Sequence, residues 1–231
     1  MRLRHGVAAG AAVGAYLAVV RPRLVRWGAT EDELLRPLPG DGLVPDARRG
    51  ATMATTIDAP PSTVWPWLVQ MGFGRAGWYS YDRLDNAGRM SAERILPQLQ
   101  ELRVGDRIDM TRDGRTWFEV ARLEPEQHLV LRACIDLRRG RSYDAAGSRP
   151  CWFSDSTWEF ALEPLAGGRT RLVVGSWAAA RPRVLTRVAD LVFWEPAHAF
   201  MQRKQFRELA RRASRSRRSI FETAPTEAAR R

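Results

Sequence analysis

IDAPPSTVWPWLVQMG, residues 57–72, decides how the rest of the chain is read. A β-branched run, ATMATTIDA (51–59), stops at Pro60-Pro61, where two backbone donors are lost. Pro61 suits the first turn of a helix, in which Val64, Trp65, Leu68 and Val69 recur at helical spacing and Pro66 predicts a kink. The stretch is a strand-to-helix corner. Just beyond it, GFGRAG (72–77) matches a dinucleotide fingerprint letter for letter, yet a helix precedes it and WYSYD follows, the reverse of what a pyrophosphate site requires. Its glycines read instead as a tight turn that tucks Trp78, Tyr79 and Tyr81 into the domain.

Downstream, SAERILPQLQEL (91–102) is expected as a second short helix interrupted at Pro97, after which the period changes to two. DRIDM, TWFEVARLE, HLVLRACID, STWEFALEP and RTRLVVGSW read as successive strands, with turns at Asp113-Gly114, Pro125 and Gly167-Gly168. Trp158, Phe160 and Leu162 alternate with Thr157, Glu159 and Glu163, predicting an antiparallel sheet with one dry and one wet face. Residues 138–155 are expected to form a mobile flap over one end of it. From Pro182 to Arg215 the pattern is one long helix: Val184, Val188, Leu191, Val192, Glu195 and Ala199 trace a side meant for the dry face, and Pro196 predicts a bend.

The length of 231 residues suits one core with tails. The formal charge of +11 would suggest nucleic acid, but it sits at the two ends. Residues 1–26 hold five arginines and no acid, and residues 203–218 hold eight bases against Glu208, leaving a near-neutral body. No recognised nucleic-acid module accompanies the charge, so that partner is set aside. Cys134 and Cys151 are too few for a metal knuckle or a disulfide framework; they read as small apolar residues, with a single inter-strand bridge left open.

GVAAGAAVGAYLAVV (6–20) is uncharged and bracketed by arginines. As a helix it spans roughly 22 Å, short of a bilayer core of roughly 30 Å, and no small-residue processing site follows it. It is read as an uncleaved anchor, single-pass or peripheral, of unassigned orientation; without insertion the chain would be cytoplasmic. Gly6, Gly10, Gly14 and Ala18 form a ridge that permits self-association. Thr30 and Glu33 have capping-box spacing, and the Pro/Gly-rich linker that follows runs to Asp46. At the other end, Arg203, Arg207, Arg211, Arg215 and Arg218 form a basic stripe suited to an anionic lipid surface.

The order strand, two short helices, antiparallel strands, long helix, together with IDAPPSTVWPWLVQMG, GWYSYDRLDN (77–86) and RILPQLQELRVGD (94–106), resembles the SRPBCC superfamily of START-like, birch-pollen-allergen-like and polyketide cyclase/dehydrase-like domains. WGATEDELLRPLPGDGLVP (27–45) is similar to the lead-in of members with an N-terminal apolar helix. The resemblance implies an α+β helix-grip fold: a curved antiparallel sheet wrapped around a long C-terminal helix, two short helices after the first strand, and an extra N-terminal apolar helix. Four regions are expected: an apolar helix and possible membrane anchor over 1–26, a short helix and linker over 27–50, a helix-grip domain over 51–215 and a disordered tail over 216–231.

The resemblance also implies an interior cavity that binds an apolar small molecule or lipid without turnover, or, alternatively, a cyclase- or dehydrase-like enzyme with an acid/base residue there. The expected lining is Trp78, Tyr79, Tyr81, Trp117, Trp158, Phe160, Trp177, Trp194, His198 and Met201, with Tyr79, Tyr81 and His198 supplying polar contacts. His5 precedes the apolar helix, His128 opens a strand, and His198 follows Glu195 by three residues, so the last two could share a helix face. A single Glu-x-x-His is half of a di-iron set and no second copy occurs, so no metal is expected. No nucleophile elbow or other cofactor motif is present.

Overall fold

The computed structural model describes residues 14–223, with side chains to residue 217. His5, Gly6, Gly10 and the side chain of Arg218 therefore lie outside the described residues. Seven antiparallel strands form one sheet: β1 (Arg48–Ile57), β2 (Arg107–Asp109), β3 (Trp117–Glu124), β4 (His128–Asp136), β5 (Arg141–Ser142), β6 (Phe153–Leu165) and β7 (Arg169–Arg181). Their order is β1-β7-β6-β4-β3-β2, with β5 paired to β4. The β6–β7 hairpin turns through Gly167-Gly168, both at positive φ, as the sequence predicts. Part of the expected flap is this β5 pairing, and β6 already begins at Phe153.

A terminal helix crosses the sheet, as Arg183–Ala189, a π turn Asp190–Trp194 and Glu195–Thr223. It is described well past Arg215, where the sequence reading ended it. Phe206, Leu209 and Ala213 join Met53, Phe160, Leu172 and Val174 in the main core, and the corner helix Pro61–Val69 closes the layer with Val64, Trp67 and Leu68. This α+β arrangement fits a helix grip. The side of the helix that the sequence meant for the sheet does not reach it: Val184, Val188 and Val192 are 79%, 53% and 75% exposed, and burial starts at Ala199.

The bend expected at Pro196 takes a specific form. Proline cannot donate to the preceding turn, and the ladder shifts to i→i−5, the Glu195 N–H bonding the Asp190 carbonyl. The carbonyl of Leu191 then receives the Tyr16 hydroxyl at 2.8 Å. Tyr16 belongs to a π turn Tyr16–Val20 that continues as a helix Arg21–Val25, again with proline in its first turn. Only Val25 of this N-terminal helix is buried. Among the described residues no helix is long and apolar enough to cross a membrane, so the anchor expected over 6–20 is not seen in the part described.

Two further expectations are corrected. Residues 91–102 hold only a 3₁₀ turn at Pro97–Leu99; the second short helix is Asp82–Asp85. Tertiary bonds replace helical ones there: the Leu96 N–H donates to the Gln70 side chain at 2.9 Å, and the Ala92 N–H to the Ala76 carbonyl at 2.9 Å. The wet face is not wet at Thr157 and Glu159, which are 2% and 0% exposed. The linker after the Thr30 capping box lies across the convex side of the sheet, with Leu38 buried on Ala54, Ala161 and Val173 and the Gly40 N–H bonded to Glu159 at 2.9 Å. Gly175 makes this contact fit, since any side chain there would collide with Leu38. Glu163, farther along, is half-exposed and pairs with Arg36.

Candidate functional site

The concave face of the sheet changes size along its length. On β6 the inward residues run Ser154, Ser156, Trp158, Phe160, Leu162; on β7 their partners are Ala180, Ala178, Ser176, Val174, Leu172. Large side chains fill one end, and serine and alanine leave the other hollow. The terminal helix is lifted off at that same end, where its apolar residues are exposed. Together these leave a cavity of about 1550 Å³, open on one side. Pockets for drug-sized ligands are usually about 300–1,000 Å³, so the space accepts a large guest.

The floor is aromatic. Trp78 meets Phe118 at 5.8 Å and Trp158 at 5.7 Å between ring centroids, and Trp158 lies 6.2 Å from the His198 ring. His198, Gln202 and Gln205 recur on one side of the terminal helix. Trp158 Nε1 donates to Gln202 Oε1 (3.2 Å), Gln202 Nε2 to Gln205 Oε1 (2.8 Å), and Gln205 Nε2 to the Trp78 carbonyl (2.9 Å). The chain ties three elements and spends the amides on structure. His198 stands next along the row with no protein hydrogen-bond partner among the described residues, and burial lowers its pKa to about 4. It faces the cavity as a neutral imidazole able to donate and accept.

Opposite it, Ser80 and Asp85 come from the loop and short helix after the glycine turn. The Ser80 hydroxyl donates to the Met201 carbonyl at 3.2 Å. Both Asp85 carboxylate oxygens are buried, and burial, then the neighbouring Asp82, raises the pKa of the group against weaker hydrogen bonding from the Tyr81 backbone and the Ser80 side chain. His198 and Asp85 both favour their uncharged forms, while arginines such as Arg149, Arg181 and Arg183 also line the space.

Trp78, Trp158, Trp177, Trp194, His198 and Met201 of the expected set line the cavity; Tyr79, Tyr81, Trp117 and Phe160 do not. Tyr79 is 1% exposed, bonded by Gln70 at 2.8 Å and covered by the Arg212 guanidinium. Tyr81 points outward beside Lys204, Trp117 stacks under Arg107, and Phe160 sits in the core beneath Trp158. Trp177 contributes little to the interior: its indole N–H bonds Asp41 of the linker on the convex side, under Arg49. The glycine loop is the tight turn expected, Gly72 and Gly77 exchanging backbone bonds of 3.1 Å, and a side chain on Gly77 (φ +80°) would strike Ser91.

Glu195 does not pair with His198. Arg21 and Arg187 hold it, and despite burial these bonds keep its pKa low. His128 lies 3.7 Å from Glu124 at a strand end. Both cysteines are free thiols; Cys134 is buried against Asp155, with its pKa pushed up to about 12, and Cys151 is exposed. Among the described residues no group of acids, histidines and cysteines is placed to hold a metal. Of the basic stripe, Arg203 lies over Trp27, Arg211 pairs with Glu93 and Glu208, and the exposed Arg215 lies 3.8 Å from Glu93.

No family model matches the chain, and no curated protein matches it. Among solved structures it is similar to protein MLL2253 from Mesorhizobium loti, at 21% identity over 71% of this chain and 97% of that one, with a TM-score of 0.38. It is also similar to CalU16 from Micromonospora echinospora, at 19% identity over 73% and 94% of the two chains (TM-score 0.33). A third likeness is DynU16, described as a putative protein in the dynemicin biosynthetic locus, at 16% identity over 72% of this chain and 48% of that one (TM-score 0.37). With scores so low, none of them bears on the site.

Proposed function

We propose that the chain binds an apolar small molecule or lipid, carrying one uncharged polar group, in the cavity between sheet and terminal helix. The observation that carries this is the hollow end of the sheet, where cross-strand pairs Ser154–Ala180 and Ser156–Ala178 stand in place of core residues. Affinity comes from apolar burial: about 300 Å² at about 25 cal/mol per Å² supplies about 7 kcal/mol, against association costs of about 4 or more. Polar discrimination then decides the fit. His198 and Asp85, both disfavouring charge, suit a hydroxyl or carbonyl at their end of the cavity.

Glu195, held by two arginines, is not available as a cavity base, which weighs against the cyclase- or dehydrase-like alternative. A fluorescent long-chain alcohol titrated into the wild-type chain and into His198→Ala tests the reading. The expected result is saturable binding, several-fold weaker in the variant. Failure of the wild type to bind the probe would reject the proposal.

A further inference from the structure

More than half of the large apolar side chains exposed among the described residues lie in two stretches: Leu17, Val19 and Val20 on the N-terminal helix, and positions 184–200 at the start of the terminal helix. Val192, Phe193, Trp194 and Phe200 are 75%, 59%, 61% and 57% exposed, and Phe193 packs edge-on to Trp194 at 5.0 Å. The two helices run side by side in the same direction, joined by Tyr16 to Leu191 and by Arg21 to Glu195. An apolar surface of this extent marks a contact. It meets the basic stripe only at Arg203; farther along, Arg211 and Arg215 face Glu93.

Charge selects the occupant. Residues 14–26 and 181–203 hold seven arginines against Asp190 and Glu195. Burial raises the Asp190 pKa, and Glu195 is already paired. A second copy docked about a two-fold axis would set these arginines against their own images, whereas an anionic lipid surface complements them. Exposed tryptophan and phenylalanine beside arginine is also the composition of an interfacial helix. The patch adjoins the cavity, because Trp194 and Leu185 belong both to its exposed side chains and to the cavity lining.

We propose that this helix pair lies in the headgroup layer of a bilayer containing anionic lipid, with the cavity mouth beside it. Docking stands on the exposed patch alone; only passage of a guest between bilayer and cavity rests on the binding reading above.

Flotation of the full chain with vesicles of phosphatidylcholine, with and without phosphatidylserine, tests it. The variant Val192→Ser/Phe193→Ser/Phe200→Ser changes exposed residues outside the cavity lining. Its circular dichroism and its binding of the fluorescent alcohol report that it is folded and that its cavity is intact. The wild type is expected to float with the anionic vesicles, less so as salt rises, and the variant to partition at least about tenfold more weakly. Equal flotation of variant and wild type would overturn the proposal. So would a wild type that leaves both vesicles behind and sediments as a dimer that the variant dissociates.

Discussion

The guanidinium of Arg21 grips the carboxylate of Glu195 through two bonds, Nε to Oε2 at 2.6 Å and Nη2 to Oε1 at 2.9 Å, across 174 positions of sequence. It fastens the N-terminal helix to the terminal helix at the end of the π turn, and Arg187 braces the same carboxylate at 2.8 Å. The pair is half-buried, so its worth lies between that of a surface bridge and a buried one. Glu195→Gln leaves two guanidiniums without their anion. The expected loss is about 1–2 kcal/mol, a fall of roughly 2–8 °C in melting temperature by calorimetry. Binding of the fluorescent alcohol should be little changed, since Glu195, although it lines the cavity, has its carboxylate held by Arg21 and Arg187.

His198 gives the fold a pH dependence of definite sign. Its folded value, about 4, lies below the unfolded value of about 6.5. As pH falls through 6.5 the unfolded chain takes a proton here that the folded chain refuses, so the contribution is complete above about 6.5 and lost progressively toward 4. His198→Gln removes it. Urea unfolding across this window should show a shallower loss of stability for the variant than for the wild type; parallel curves would contradict the placement of the imidazole.

Glu159 behaves in the opposite sense. Burial beneath the linker raises its pKa above the ordinary carboxylate value, although Thr157 and the Gly40 N–H both bond it. Stability is therefore full below the unfolded pKa and lost as pH rises through the folded one. Glu159→Gln, which keeps an acceptor without the charge, should gain stability near neutral pH and lose that advantage in acid. The same denaturation series measures it.

The linker clamp has its own test. Leu38 is 5% exposed and seats over Gly175. Leu38→Ala should cost about 2–4 kcal/mol, most of it through the cavity left on the convex face. Gly175→Ala should cost a comparable amount by pushing the same side chain out.

The corner at Pro60-Pro61, the strand runs, the capping box and the turn glycines were legible because each is a local rule. What escaped was tertiary. Thr157 and Glu159 look solvent-facing in any alternation pattern, and nothing local says that a proline-rich linker will cover them. The apolar side of the terminal helix was read correctly as apolar, but its first turns hang beyond the sheet. Tyr79 and Tyr81 carried the expected polar role, yet Trp78 and Ser80, alternating with them, and Asp85 on the short helix beyond are the residues that reach the cavity. The cavity did have a signal: the gradient Ser154, Ser156, Trp158, Phe160, Leu162 on β6, mirrored on β7, shows which end of the sheet is packed and which is hollow.

The hollow end can be filled deliberately. Ala178 projects into the cavity opposite Ser156, so Ala178→Trp places an indole where the guest is expected without touching the core at Phe160 and Phe206. Native mass spectrometry of both proteins, released gently from detergent, reads occupancy directly. The wild type should carry an additional apolar mass that the folded Ala178→Trp chain lacks. A wild type that flies empty and also refuses the fluorescent alcohol, or a bound mass unchanged by the indole, would contradict the claim that this space holds a ligand.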